Sequence, residues 1–245
     1  MKSKRVLTIK NTIHLSPILK IRNTLKHFLL FLLILTTFSA TAQRNSKYAS
    51  NRIGIQGQYA LLNLSSGNFE TNQEAGFLVG LSKRSAFYNN FDLIFGVDFM
   101  QTSLSINANG AAAEVEKVKY TWSGAQVKML LSYLIAGGHF SIEFGPIFQV
   151  NGKMELDDEN QLALVLDGYT SLQAEDIQEW SRVNGLVTLG LSAGFTHVRF
   201  TANYQYGFTN ALKRLNDERL ELKDPAATNF KGNLGLITAG IVLYL

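Results

Sequence analysis

Apolar and polar residues alternate with a period of two over most of the chain. In FSIEFGPIFQV, residues 140–150, Phe140, Ile142, Phe144, Pro146, Phe148 and Val150 share one face, and Ser141, Glu143, Gly145, Ile147 and Gln149 share the other. Successive side chains of a strand point to opposite faces, so this alternation predicts a β-strand. VRFTANYQYGFT, residues 198–209, repeats it, with Val198, Phe200, Ala202, Tyr204, Tyr206 and Phe208 opposite Arg199, Thr201, Asn203, Gln205, Gly207 and Thr209. Six further strands are predicted over 52–62, 75–83, 91–105, 118–134, 182–193 and 233–245. In 118–134 the apolar parity shifts from Val118, Tyr120 and Trp122 to Val127, Met129, Leu131 and Tyr133, which predicts a bulge near Gly124. Gly145-Pro146 predicts a second bulge, because proline removes a ladder hydrogen bond.

The connections alternate in length. Short links fall at 85–90, 135–139 and 194–197, and longer ones at 64–74, 106–117, 151–181 and 210–231. Short turns at one end and long loops at the other are the habit of a transmembrane barrel, with turns on the periplasmic side and loops outside the cell. The polar faces decide between this and a soluble carrier barrel. They carry Asp98, Lys128, Glu143, Arg182 and Arg199, most of them well inside strands. A charge on the lipid face costs about 2–4 kcal/mol at the midplane, and an apolar ligand pocket would not be lined with charges. Inside a narrow barrel they can pair. The expected fold is therefore all-β: an eight-stranded antiparallel up-and-down transmembrane barrel.

Composition changes the picture at the N-terminus. Residues 1–42 hold seven basic residues and no acidic one, followed within that span by the apolar run 28–40 and the small residues Ala40-Thr41-Ala42. That arrangement predicts a signal peptide cleaved before Gln43, with Ala40, Ala42 and Gln43 as the cleavage residues. The expected division is a leader, 1–42, and an outer-membrane barrel domain, 43–245. Of the 23 basic and 19 acidic residues, 16 basic and 19 acidic lie beyond the leader, so the basic balance belongs to the leader and gives no support for nucleic-acid binding. The chain has no cysteine, so its stability cannot draw on disulfides.

The candidate chemistry is sparse. The expected lumen charges, Asp98, Lys128, Glu143, Arg182 and Arg199, read as a salt-bridge network filling the barrel in preference to a gate, because barrels of this size are filled by side chains. Loop 151–181 is acidic and offers a face for a divalent cation or for a surface or secretion partner, although it has no calcium-loop spacing and a charge run is usually a solvated surface. Within it, Ser171 is expected to cap a short helix running to Trp180. Tyr120, Trp122, Phe148 and Phe208 toward the loops, and Phe91, Tyr133 and Phe140 toward the turns, are expected to form aromatic girdles. His139 and His197 fall in the short turns, with no further evident metal ligands. No catalytic, cofactor-binding or metal-binding residue is assigned, and a non-enzymatic protein is expected.

Thr238, Gly240, Leu243 and Leu245 resemble the terminal signal read by the outer-membrane assembly machinery, with leucine at a final position where that pattern prefers an aromatic. The Ala42-Gln43 cleavage site, the hairpin VKMLLSYLIAGGHFSIEFGPIF, the strand ANYQYGFTN and the ending NFKGNLGLITAGIVLYL resemble the PorT-like outer-membrane β-barrel ("porin") family of Gram-negative, Bacteroidetes-type bacteria. That resemblance implies residence in outer-membrane lipid and delivery by the assembly machinery. For function it implies a structural or interaction role at the cell surface, with a small-solute channel or an accessory role in protein secretion as alternatives.

Overall fold

The computed structural model describes residues 51–110, 114–135 and 138–245. The expected leader, with Ala40, Ala42 and Gln43, lies outside the described residues. The strands are β1 (Arg52–Ser66), β2 (Thr71–Tyr88), β3 (Phe91–Asn109), β4 (Val115–Ile135), β5 (Phe140–Leu156), β6 (Val165–Leu166), β7 (Val183–Gly194), β8 (Val198–Gly207) and β9 (Gly232–Tyr244). All pairings are antiparallel, in the order β2-β1-β9-β8-β7-β5-β4-β3, and β2 pairs with β3 to close the ring. The two-residue β6 adds to the loop end of β3 through Ala108↔Leu166 and Asn109↔Val165. The result is an eight-stranded closed antiparallel barrel with one short accessory strand. Closure leaves no unpaired edge among the eight, as lipid requires.

The barrel is inside out over part of its height. Outward residues Ile55, Tyr59, Val79, Val97, Val127, Phe144, Leu189, Phe200, Tyr204 and Ile241 are exposed, whereas inward Gln56, Ser82, Asp98, Gln126, Glu143, Thr188, Arg199 and Thr238 are buried. On β4 the outward apolar band runs from Ala125 to Ile135, on β5 from Phe140 to Val150, and on β8 and just beyond it from Val198 to Phe208. At the strand rise and tilt of such barrels each run spans about 25 Å, the height of the apolar belt of a membrane barrel. Among the described residues no helix is long and apolar enough to cross a membrane. The spanning elements are the strands.

Toward the loops the interior changes character. Inward Leu62 and Leu64 of β1, Leu104 and Ile106 of β3, Val118, Tyr120 and Trp122 of β4, Met154 of β5, and Leu234 and Leu236 of β9 join one apolar core. This corrects the expected bulge in β4. Inward and outward positions alternate without interruption through Gly124, and it is the lining that switches from polar to apolar. A bulge does lie opposite, where β4 advances from Trp122 to Gly124 while β5 spans Asn151 to Met154, so the extra residue belongs to β5. The expected bulge at Gly145-Pro146 is also corrected. Both residues keep register with Thr188 and Val187, and β5 meets β4 in unbroken register on either side. Pro146 faces outward, and β4 comes so close to Gly145 that a Cβ there would stand 2.0 Å from the Met129 carbonyl oxygen.

At the other end the turn between β2 and β3 is tight. Tyr88 pairs with Phe91 across Asn89-Asn90, with Asn89 at φ 47°, a left-handed conformation asparagine tolerates.

Candidate functional site

Three stacked layers occupy the lumen, and each follows from which residues the strands turn inward. The layer nearest the turns is ionic. Arg84 at the end of β2 pairs through Nε with Asp92 of β3 at 2.8 Å and through Nη2 with Glu143 of β5 at 3.4 Å. It also donates to Ser132 Oγ of β4 and, at 3.2 Å, to Ser141 Oγ of β5. Arg199 of β8 donates to the same Ser141 Oγ at 3.1 Å, to Ser192 Oγ of β7 at 2.7 Å and to the Gly138 carbonyl at 2.8 Å. Two cations and two anions thus tie six strands together, with their charges balanced.

The middle layer is an ion pair beside an amide cluster. Lys128 Nζ of β4 lies 2.9 Å from Asp98 Oδ2 of β3, and Gln56 of β1 donates to Asp98 from the other side. Gln126 Nε2 bridges Gln149 Oε1 of β5 at 2.8 Å and Gln205 Oε1 of β8 at 3.0 Å, joining walls that are not neighbours in the ring. A cavity between these side chains, bordered by Gln58, Ser82, Lys128, Thr201, Asn203 and Tyr244, has about 20 Å³ open to the centre of a water molecule. That is room for one or two waters.

The third layer is the apolar core at the loop end, which the long loops complete. Leu166, Leu172, Ala174, Ile177 and Trp180 come from loop 3 between β5 and β7. Ala211, Leu212, Leu215, Leu220, Ala227 and Phe230 come from loop 4 between β8 and β9. Trp180 and Trp122 meet edge to face at 5.5 Å, a favourable arrangement for the ring quadrupoles. The Tyr120 hydroxyl donates to the Ala174 carbonyl at 2.9 Å. Loops 3 and 4 also hold each other. Asp224 Oδ2 accepts from the backbone N–H groups of Thr170 at 2.7 Å and Ser171 at 2.8 Å, and Asp224 Oδ1 accepts from Ala226 N–H at 2.9 Å. Those donors, Ser171 first, hold its carboxyl well below the usual carboxylate range. Lys223 bridges to Asp176 at 2.7 Å, and Arg214 to Glu179 at 3.1 Å. Burial raises the Tyr169 hydroxyl, which donates to the Asn68 carbonyl.

Of the expected lumen charges, Asp98, Lys128, Glu143 and Arg199 are inside. Arg182 is not: its side chain is 61% exposed and lies near Glu179 at 3.7 Å. β7 begins only at Val183, so the strand alternation that would turn Arg182 inward does not reach it. Arg84 and Asp92 complete the network and were missed. Arg84 lay past the predicted end of its strand at 83, whereas Asp92 had the right parity, opposite Leu93, and could have been found. Tyr120 and Trp122 are corrected from girdle residues to buried core, whereas Phe148 and Phe208 are exposed at the band edge. The expected helix from Ser171 is a single 3-10 turn, Ala174–Ile177, closed by a capping box at Gln173. Ser171 instead serves Asp224 and the Lys223 carbonyl. At the C-terminus Thr238 is buried in the lumen, Gly240 packs against β1 backbone, and Leu243 and Leu245 face outward. His139 lies against Phe195 and the Gly194 carbonyl. Among the described residues no three His, Cys, Asp or Glu side chains are placed to hold a metal.

No protein-family model and no curated protein matches the sequence. Solved structures do resemble it. Neisserial surface protein A is 13% identical, with 78% of this chain and 96% of that one covered and a TM-score of 0.43. The outer membrane protein OprG of Pseudomonas aeruginosa is 12% identical, covering 80% and 97%, with a TM-score of 0.44. The attachment invasion locus protein Ail of Yersinia pestis, solved with the heparin analogue sucrose octasulfate, is 12% identical, covering 80% and 99%, with a TM-score of 0.43.

Proposed function

We propose that this chain is a non-enzymatic outer-membrane barrel that is closed to solutes and acts through a rigid cap built by its loops outside the cell. One observation carries the reading: ionic, amide and apolar layers, each hydrogen-bonded or packed across the barrel, fill the lumen in succession. A porin needs a continuous aqueous path, and the small-solute channel is the weaker reading for that reason. The leader 1–42 supports export, and the final strand supports delivery by the assembly machinery. The PorT-like resemblance adds a role beside a secretion system as the finer reading. A partner would meet the cap through what loop 151–181 leaves exposed, chiefly Glu155, Asp158, Glu159 and Glu175.

The test combines fractionation with cell-surface crosslinking. The account expects heat-modifiable migration on a gel, recovery in the outer-membrane fraction, and a specific adduct from a photo-crosslinker at position 159. Recovery in the periplasmic extract would contradict the location. A cap with no adduct in growing cells would contradict the interaction role.

A further inference from the structure

Around the barrel, the outward positions just above the apolar band are mostly neutral: Asn63 and Ser65 on β1, Gln73 on β2, Gln101 on β3, Ser123 on β4 and Asn233 on β9. One sector differs. Val150 of β5 and Val183 of β7 are cross-strand partners at the top of the band, both exposed. Immediately above them stand Lys153 and Arg182, both exposed. The backbone joins Arg182 to Asn151, whose N–H donates to the Arg182 carbonyl at 2.8 Å, and Lys153 follows two residues later.

The position of Lys153 is built in. It lies in the β5 bulge, where the Gly152 carbonyl accepts from the indole N–H of Trp122 at 3.2 Å and Met154 is buried in the cap. With its neighbours committed inward, Lys153 is turned out, and it makes no ion pair among the described residues. Arg214 reaches the same place through Glu179, which it meets at 3.1 Å while Arg182 lies 3.7 Å away. Two cations therefore share one carboxylate, with Lys153 beside them and outside any ion pair among the described residues. The next outward acid on β5, Glu155, lies toward β4, paired with Thr121. Below the cations, Phe148, Val150, Val183 and Phe208 form an exposed apolar wall.

Cations above an apolar wall at headgroup depth match a phosphorylated lipid, with acyl chains on the wall and phosphate at the cations. We propose that the β5–β7 sector is a binding site for a phosphorylated lipid of the outer leaflet, held by Lys153 and Arg182 with Arg214 behind them. The site rests on the membrane-barrel reading given under Proposed function.

The experiment uses the full mature protein refolded into nanodiscs of phosphatidylcholine mixed with bis-phosphorylated lipid A. Heat-modifiable migration verifies the folded barrel, and native mass spectrometry after extraction counts retained lipid A. K153Q and R182Q are each expected to lower retention about fivefold, the effect of one basic residue near an anionic surface. Added salt should lower it in the unaltered protein, while K231Q, which removes an exposed charge elsewhere at the loop end, should leave it unchanged. Equal retention in K153Q, R182Q and the unaltered protein would overturn the site. So would an equal loss in K231Q, or displacement of the lipid by inorganic phosphate alone. A protein that never shows heat-modifiable migration would overturn the barrel reading, and the site with it.

Discussion

Arg84 and Arg182 are both arginines at strand ends, and their surroundings give them opposite weights. Arg84 is enclosed by Asp92, Glu143, Ser132 and Ser141. Truncation to alanine leaves two carboxylates inside a narrow lumen without their cation, and removing one partner of a buried ion pair costs about 3–5 kcal/mol. Arg84→Ala should therefore lower the urea midpoint of the folded barrel sharply, whereas Arg182→Ala should stay within about 0.5 kcal/mol of the parent protein, as for other surface changes. Equal effects would place Arg182 back in the network. Gly145 is constrained by distance alone. An added methyl would stand 2.0 Å from the Met129 carbonyl oxygen and 2.9 Å from Leu130 Cα, so β4 and β5 must part. Gly145→Ala should cost about 1–3 kcal/mol by overpacking. An unchanged unfolding midpoint would show that the strands yield there freely.

At the scale of elements, the loops are part of the fold. Loop 3 returns across the mouth to pair β6 with β3, and loop 4 pins it through Asp224. The depressed carboxyl of Asp224 sets the sign of the pH dependence. Its contribution is fully present above the ordinary carboxylate value, near pH 4, and is lost as pH falls from there toward the native value. Amide protection at Thr170 and Ser171, taken relative to the intrinsic exchange rate at each pH, should thus be high at neutral pH and should be lost in strong acid while the strands stay protected. Asp224→Asn should show that loss already at neutral pH. Acid-insensitive protection would mean the contact does not hold the loops. The last strand carries a separate prediction. Leu243 and Leu245 face outward, and Leu245 N–H donates to the Ile53 carbonyl at 2.9 Å, beside β1 where the ring closes. Leu245→Asp should reduce the amount of folded protein in the outer membrane several-fold, and normal levels would show that this ending is not the assembly signal. Alternation made the strand cores legible, because one lipid face and one lumen face impose a strict period of two. Strand ends were less legible. β4 and β5 run past the membrane, where the same inward positions turn apolar, and a lining that changes polarity mimics a change of parity.

For the whole molecule, two solvents shape one tube. In lipid the outside is apolar and the inside polar. Above lipid the inside becomes the apolar core of an ordinary water-soluble fold, with Trp122 and Trp180 at its centre. The charged lumen was readable in Asp98, Lys128, Glu143 and Arg199 because a strand interior fixes the direction of each side chain. The cap was not readable in loop 151–181, because Leu172, Ile177 and Trp180 follow no strand period and their burial depends on loop 4, some 30 residues away. Acidic composition described the rim of that loop and concealed its core. The lumen layers and the cap act in series, so a conducting path would need all of them displaced. Planar-bilayer recording of the refolded mature protein tests this most directly. The account predicts a flat trace with no unitary steps at moderate voltage, and steady, reproducible openings would contradict it.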